Sequence, residues 1–230
     1  MKKITIHSEI IYLLSIIILA FSVAMLASAD FGVSMIVAPA YILSQKLGFI
    51  TFGQAEYLIQ GVLFIAFCII VKKFKVTYLF AFLTCVIYGL CLDLFRLIIP
   101  AFNPSVTAPG SFELWLRIVY FAVGEILTAF SIALCFRTYL FPQVVDFFVV
   151  GVTNVYKLNR AKFKTITDIC FLSVSLILSL AFFKGFVGIN FGTIILTFIN
   201  GPIIALMGRL FDRFFTVKPL FSKFSTLFTI

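Results

Sequence analysis

Six apolar runs divide the chain: Ile10 to Ala29, Phe52 to Val71, Val76 to Ile99, Leu114 to Phe136, Ile166 to Phe183 and Phe191 to Leu210. About 20 apolar residues in a helix cover roughly 30 Å of hydrocarbon, so each run is long enough to cross a membrane. A soluble domain could not cover them, because 63% of the 230 residues are hydrophobic and only 12% are charged. Soluble domains carry about 25% charged residues to clothe their surface. The 31 Phe are therefore expected mostly against lipid.

The first run could be mistaken for a cleavable signal peptide, since Lys2 and Lys3 precede it and Ala27-Ser28-Ala29 ends it. Its length exceeds the about 7–15 apolar residues of such a segment, so a retained helix is expected. Two further apolar stretches are too short to span: Ser34 to Ser44, interrupted by Pro39, and Val144 to Thr153, led by Pro142. Stretches of about 10–14 residues suit re-entrant or interfacial segments.

Charge gives the runs a direction. With a cytoplasmic N-terminus, the inside receives Lys2, Lys3, Lys72, Lys73, Lys75, Arg137, Lys157, Arg160, Lys162, Lys164, Arg209, Arg213, Lys218 and Lys223, against Lys46, Arg96, Arg117 and Lys184 outside. This bias places both termini in the cytoplasm of a bacterial-type inner membrane. It also explains the net charge of +9 without nucleic acid, because the basic residues sit between spans. Capping boxes are expected at Thr51-Gln54 and Thr165-Asp168, ahead of apolar runs.

Pro100 to Ser111, rich in proline, separates residues 1–103 from 104–230. Each half has one span, one short segment, then two spans. A shift of about 111 residues maps Phe52 onto Phe163, and Gly89 falls one position from matching Gly201. Three spans is an odd number, so a repeated unit would lie upside down relative to its twin. The expected fold is therefore an all-α membrane protein of six transmembrane helices, arranged as two inverted three-helix repeats. Each repeat carries one short re-entrant or interfacial segment, a plan that recurs in secondary transporters.

Several stretches carry a resemblance: ADFGVS at 29–34, GFITFGQ at 48–54, YGLCLDLF at 88–95, AKFKTITD at 161–168 and VGINFGTIILTFINGPI at 187–203. In order and spacing they resemble the bacterial YczE/YyaS/YitT group of multi-pass membrane proteins, nearly end to end. The resemblance implies a fold plan and a membrane location, but no established reaction. The chain departs from the group's pattern where Met35 and apolar neighbours follow the ADFGVS motif, and where Pro142 is followed by Asp146 in place of an immediate Gly-Glu or Asp pair.

Ionisable groups within spans cost about 2.5–3.5 kcal/mol on insertion scales and usually face protein or water, so they single out candidate binding residues. Asp93 and Arg96, three apart, can pair on one helix face, either lining a cavity or resting near the outer interface. Glu125 lies mid-span with no basic residue within a turn. It suits proton or cation coupling, or a structural hydrogen bond to a residue such as Asn200. Asp146 follows Pro142, where a short helix could hold it over a cavity or merely begin there. Asn200 precedes Gly201-Pro202 inside the last run, where a freed carbonyl and an amide could bind solute or simply accompany a kink. Asp30 fits either the ADFGVS motif or the membrane edge, while Asp168, Glu56 and Glu113 suit helix starts and are left out of the site.

No cofactor is expected. His7 is the only histidine and the five cysteines show no CxxC spacing, so neither metal binding nor disulfides are anticipated. Walker and nucleophile motifs are absent from the sequence, which argues against an enzyme. Two functions remain: a secondary transporter or exporter of a small polar solute or ion by alternating access, or a non-transporting partner or substrate-capture subunit of another membrane complex. The expected partners are the lipid bilayer, that solute, and either a second copy or another membrane protein.

Overall fold

The computed structural model describes residues 4–226, so Lys2 and Lys3 of the charge argument lie outside the described residues. Strand β1 (Ile4–His7) leads into helix α1 (Ser8–Ala29), followed by α2 (Ala38–Leu47), α3 (Phe52–Val71) and α4 (Leu79–Ile98), the last preceded by a 3-10 turn at Val76–Tyr78. The second half runs through α5 (Leu114–Cys135), α6 (Val144–Tyr156), α7 (Arg160–Phe183) and α8 (Phe191–Phe214), then strand β2 (Phe215–Lys218) and the short helix α9 (Ser222–Ser225). Six of these helices are long and apolar enough to cross a membrane. The protein is a multi-pass membrane-spanning helical protein.

Most of α1 is enclosed, whereas α7 and α8 leave most of their apolar surface outward, as helices facing lipid do. Small residues make that central place possible. Ala20, Ala24, Ala27 and Ser28 are all buried, and α5 meets α1 with Gly124, where an added Cβ would come 2.9 Å from Leu26 Cγ. The two helices run antiparallel. Ser131 hydroxyl donates to the Ser15 carbonyl at 2.5 Å, Thr128 hydroxyl to Ser22 at 2.9 Å, and Arg117 Nε to the Ala29 carbonyl at 2.8 Å.

The remaining packing is reciprocal. Helix α4 lies on α1 and α8 on α5, while α2 packs on α7 and α6 on α3. Each short helix thus rests on a long helix of the other half of the chain. A matched bond also holds the segment ahead of each short helix: Thr193 hydroxyl of α8 donates to the Val33 carbonyl at 2.8 Å, and Thr84 hydroxyl of α4 to the Phe141 carbonyl at 3.2 Å. The reciprocity is incomplete, because α3 and α4 pack closely but α7 and α8 do not. Gly53 sets the first crossing, since a Cβ there would fall 2.0 Å from the Gly89 carbonyl.

Local signals explain the helix ends. Thr51 and Gln54 form the capping box of α3, and Gly48, Lys72, Lys157 and Lys184 end helices in the left-handed region. The expected box at Thr165 is corrected: α7 starts at Arg160, capped by the Asn159 side chain, and Thr165 bonds back to Ala161 inside the helix. The apolar run began late because a cationic first turn, Arg160 to Lys164, precedes it. Helix α8 likewise continues past Leu210 and passes through Pro202.

One element has no counterpart in the hydropathy. Strands β1 and β2 pair in parallel, Ile4 opposite Phe215 and His7 opposite Lys218. Beside them the Glu9 carboxylate accepts from the Leu220 and Phe221 amides at 3.0 and 3.2 Å and from Tyr139 hydroxyl at 2.6 Å. Arg137 grips Asp212 with two bonds of 2.5 Å.

Candidate functional site

Helix α6 runs beside α3 from Gln143 near Gln60 to Tyr156, whose hydroxyl donates to the Ile70 carbonyl. Since Gln60 lies midway along α3, the N-terminus of α6 sits at mid-depth and only its C-terminus reaches the end that carries β1 and β2. Helix α2 enters from the opposite end, where Lys46 Nζ donates to the Phe182 carbonyl at the close of α7. The N-terminal ends of both short helices line one cavity of about 90 Å³ beside the α1–α5 pair, Val37 from α2 and Gln143 with Asp146 from α6. It has room for several waters or a small solute.

The cavity wall is apolar along Ile16, Leu19, Val23, Leu26 and Ile132, with hydroxyls from Ser15, Thr84, Tyr88, Thr128 and Ser131. Asp146 is its only charged lining residue among the described residues, and Asn200 reaches it from α8. Lys164 Nζ stands 3.7 Å from Asp146 but closer, 3.1 Å, to Asp168. Among the described residues the Tyr88 hydroxyl, on a side chain 1% exposed, has no hydrogen-bond partner, and neither has the Asn200 carbonyl oxygen. Gly201 points away into open space, so Asn200 and not the glycine belongs to the cavity.

Family comparison meets this geometry over nearly the whole chain. The model of a family of unknown function, DUF6198, matches residues 6–209. The chain belongs to DUF6198. No curated protein and no solved structure matches it. In this DUF6198 member the matched span takes in every element from α1 to most of α8, including both short helices and the cavity between them.

The other sequence-predicted residues fall elsewhere. Asp93 and Arg96 line a separate recess at the end opposite the strands, and they form no ion pair with each other. Asp93 instead caps α3, accepting from Thr51 hydroxyl and from the Gly53 amide at 2.8 Å. Arg96 lies over the Phe52 ring at 5.2 Å. The carboxylate is thus occupied at the α3 N-terminus, while the guanidinium rests on the Phe52 ring with its Nε unpartnered among the described residues.

Glu125 is buried, but neither of its oxygens has a partner, and it lines neither the central cavity nor the recess. The bond to Asn200 is not made. Asp30 ends α1 in the left-handed region, 3.8 Å from Arg117, which lies over Phe31 at 4.6 Å. Burial raises the Asp30 carboxyl above its ordinary range, while Arg117 pulls the other way.

Glu56 corrects the sequence argument in the opposite sense. Set aside as a helix-start residue, it is 2% exposed, accepts from Gln60 at 3.0 Å, and leaves its second oxygen without a partner. Gln60 reaches Gln143 in the cavity wall at 3.4 Å and accepts from the Cys85 thiol, which in turn accepts from the Val144 amide at the start of α6. A carboxyl in the second turn of a helix carries no sequence mark of this. Only the packing of other helices around α3 buries it.

Proposed function

We propose that the protein is a secondary transporter for a small polar solute, with the central cavity as its binding site and its two halves acting as inverted repeats. The observation that carries this is the meeting of the α2 and α6 N-termini, entering from opposite ends, in one cavity beside antiparallel α1 and α5. Such a cavity lies at the level where an alternating-access carrier must hold its load. The reciprocal packing supports a rocking of one half against the other. The resemblance to the YczE/YyaS/YitT group fits an inner-membrane location with cytoplasmic termini. No enzymatic step is needed.

Two buried carboxyls, Glu56 and Glu125, are the candidates for coupling to a proton or cation gradient. Glu56 is the better connected to the cavity, through Gln60 and Gln143.

The test begins with a thermal-shift screen of polar solutes on purified protein, followed by uptake of each hit into proteoliposomes with and without an imposed pH gradient. Saturable uptake lost in Tyr88→Phe or Asp146→Asn supports the proposal. Binding without uptake, together with a stoichiometric partner on purification in mild detergent, would replace it with the role of a membrane partner or capture subunit.

A further inference from the structure

The sign of the cavity's charge narrows what it can hold. Helix N-termini ordinarily favour anions, but here both are answered in part. At α2 the Ser34 carbonyl accepts from the Val37 and Ala38 amides at 3.0 and 2.9 Å, and Pro39 removes a further donor. At α6 the Val144 amide is held by Cys85 and Asp146 stands in the first turn. Among the described residues no lysine, arginine or histidine lines the cavity. The nearest cation, Lys164, is shared between Asp146 and Asp168, so the three together carry one net negative charge.

Two of the three unpartnered side-chain groups in the cavity wall can accept a hydrogen bond. Among the described residues the Asn200 carbonyl oxygen, the Tyr88 hydroxyl and the Gln143 amide nitrogen have no partner, and all three residues line the cavity, whose wall is otherwise apolar but for serine and threonine hydroxyls and Asp146. A solute that brings N–H donors, one positive charge and a short hydrocarbon body satisfies all three features. A carboxylate would face Asp146 across a small, poorly hydrated space, where like charges repel strongly.

We propose that the central cavity binds a small organic ammonium, its N–H groups directed at Asp146, Asn200 and Tyr88 and its carbon chain laid along α1 and α5. This rests on the cavity being the binding site of the proposed transporter, and it names the class of its solute.

Three probes of nearly equal shape test it: butylammonium, 1-butanol and butyrate, titrated calorimetrically into the full-length protein in detergent. Butylammonium is expected to bind at least about tenfold more tightly than the other two, and Asp146→Asn to remove that preference. Lys164→Gln keeps the carboxylate and removes its competitor, so it should tighten butylammonium binding severalfold. That variant keeps the proposal open to refutation if Asp146→Asn fails to fold. Butyrate binding as tightly as butylammonium, or weaker butylammonium binding in Lys164→Gln, overturns it. Butylammonium binding without flux in proteoliposomes would remove the transport proposal and leave the ammonium site standing. Flux of butyrate without butylammonium binding would do the reverse.

Discussion

Thr128 hydroxyl donates to Ser22 hydroxyl across the α1–α5 contact, and the two residues stand 106 positions apart. The same interval separates Ser8 from Leu114 and Ala29 from Cys135, the first and last residues of the two helices. Each residue therefore occupies the other's place in its own helix, and their bond sits where a two-fold relation between the halves would have its axis. Thr128→Val should cost about 0.6–1.7 kcal/mol, as interhelical hydrogen bonds in membranes do. Thermal unfolding in detergent measures it. A change no larger than that of Thr197→Val, whose hydroxyl bonds only within its own helix, would show the axial bond to be idle.

The α3–α4 crossing gives a sharper contrast between glycines. Gly53→Ala drives a Cβ into the backbone of Gly89, so loss of a monodisperse peak on size exclusion is expected. Gly201→Ala meets nothing within 4 Å and should shift stability by no more than about 0.5 kcal/mol.

Glu125 and Glu56 should respond with opposite signs to replacement by leucine. Glu125 has no partner, so Glu125→Leu is expected to gain about 1–3 kcal/mol, the penalty for an unsatisfied buried polar group. Glu56→Leu strips Gln60 of an acceptor and should lose a similar amount. A destabilised Glu125→Leu would mean that the carboxyl holds a partner in the membrane.

At the strand-bearing end, Arg137 and Asp212 are partly exposed, so Asp212→Asn should cost less than about 1 kcal/mol globally. Its effect is expected to be local. Amide exchange in β2 should accelerate while that of α5 stays unchanged, and uniform acceleration would contradict that.

Sidedness can be read by cysteine labelling in a background lacking Cys68, Cys85, Cys91, Cys135 and Cys170. Ser44 and Thr153 end the two short segments, but both are buried. Gln45 and Asn154 are the exposed neighbours. An impermeant reagent should label Gln45→Cys from outside and Asn154→Cys only from inside. Labelling of both from one side would end the inverted arrangement.

Hydropathy made the six spans legible because it reports the solvent around a helix, and a run of 20 apolar residues has one solution in lipid. The short helices were visible for the same reason, by being too short. Side-chain partners were another matter. Asp93 and Arg96 share a helix face, yet the α3 N-terminus claims each of them separately, and that terminus lies some 40 residues away in sequence. Tyr88 looked like one aromatic among many until α4 turned it to the cavity. Glu56 was hidden because its burial depends on how other helices pack around α3.

The pairing of β1 with β2 has a consequence for biosynthesis. Helix α1 is made before the other helices described, yet it packs against α4 and α5, and the strand before it finds its partner only beyond α8. The innermost helix must therefore wait in lipid, its small-residue face uncovered, while most of the chain is inserted. Closure of the two strands can happen only once the sixth span is in place, which makes that short pairing a record that assembly has finished.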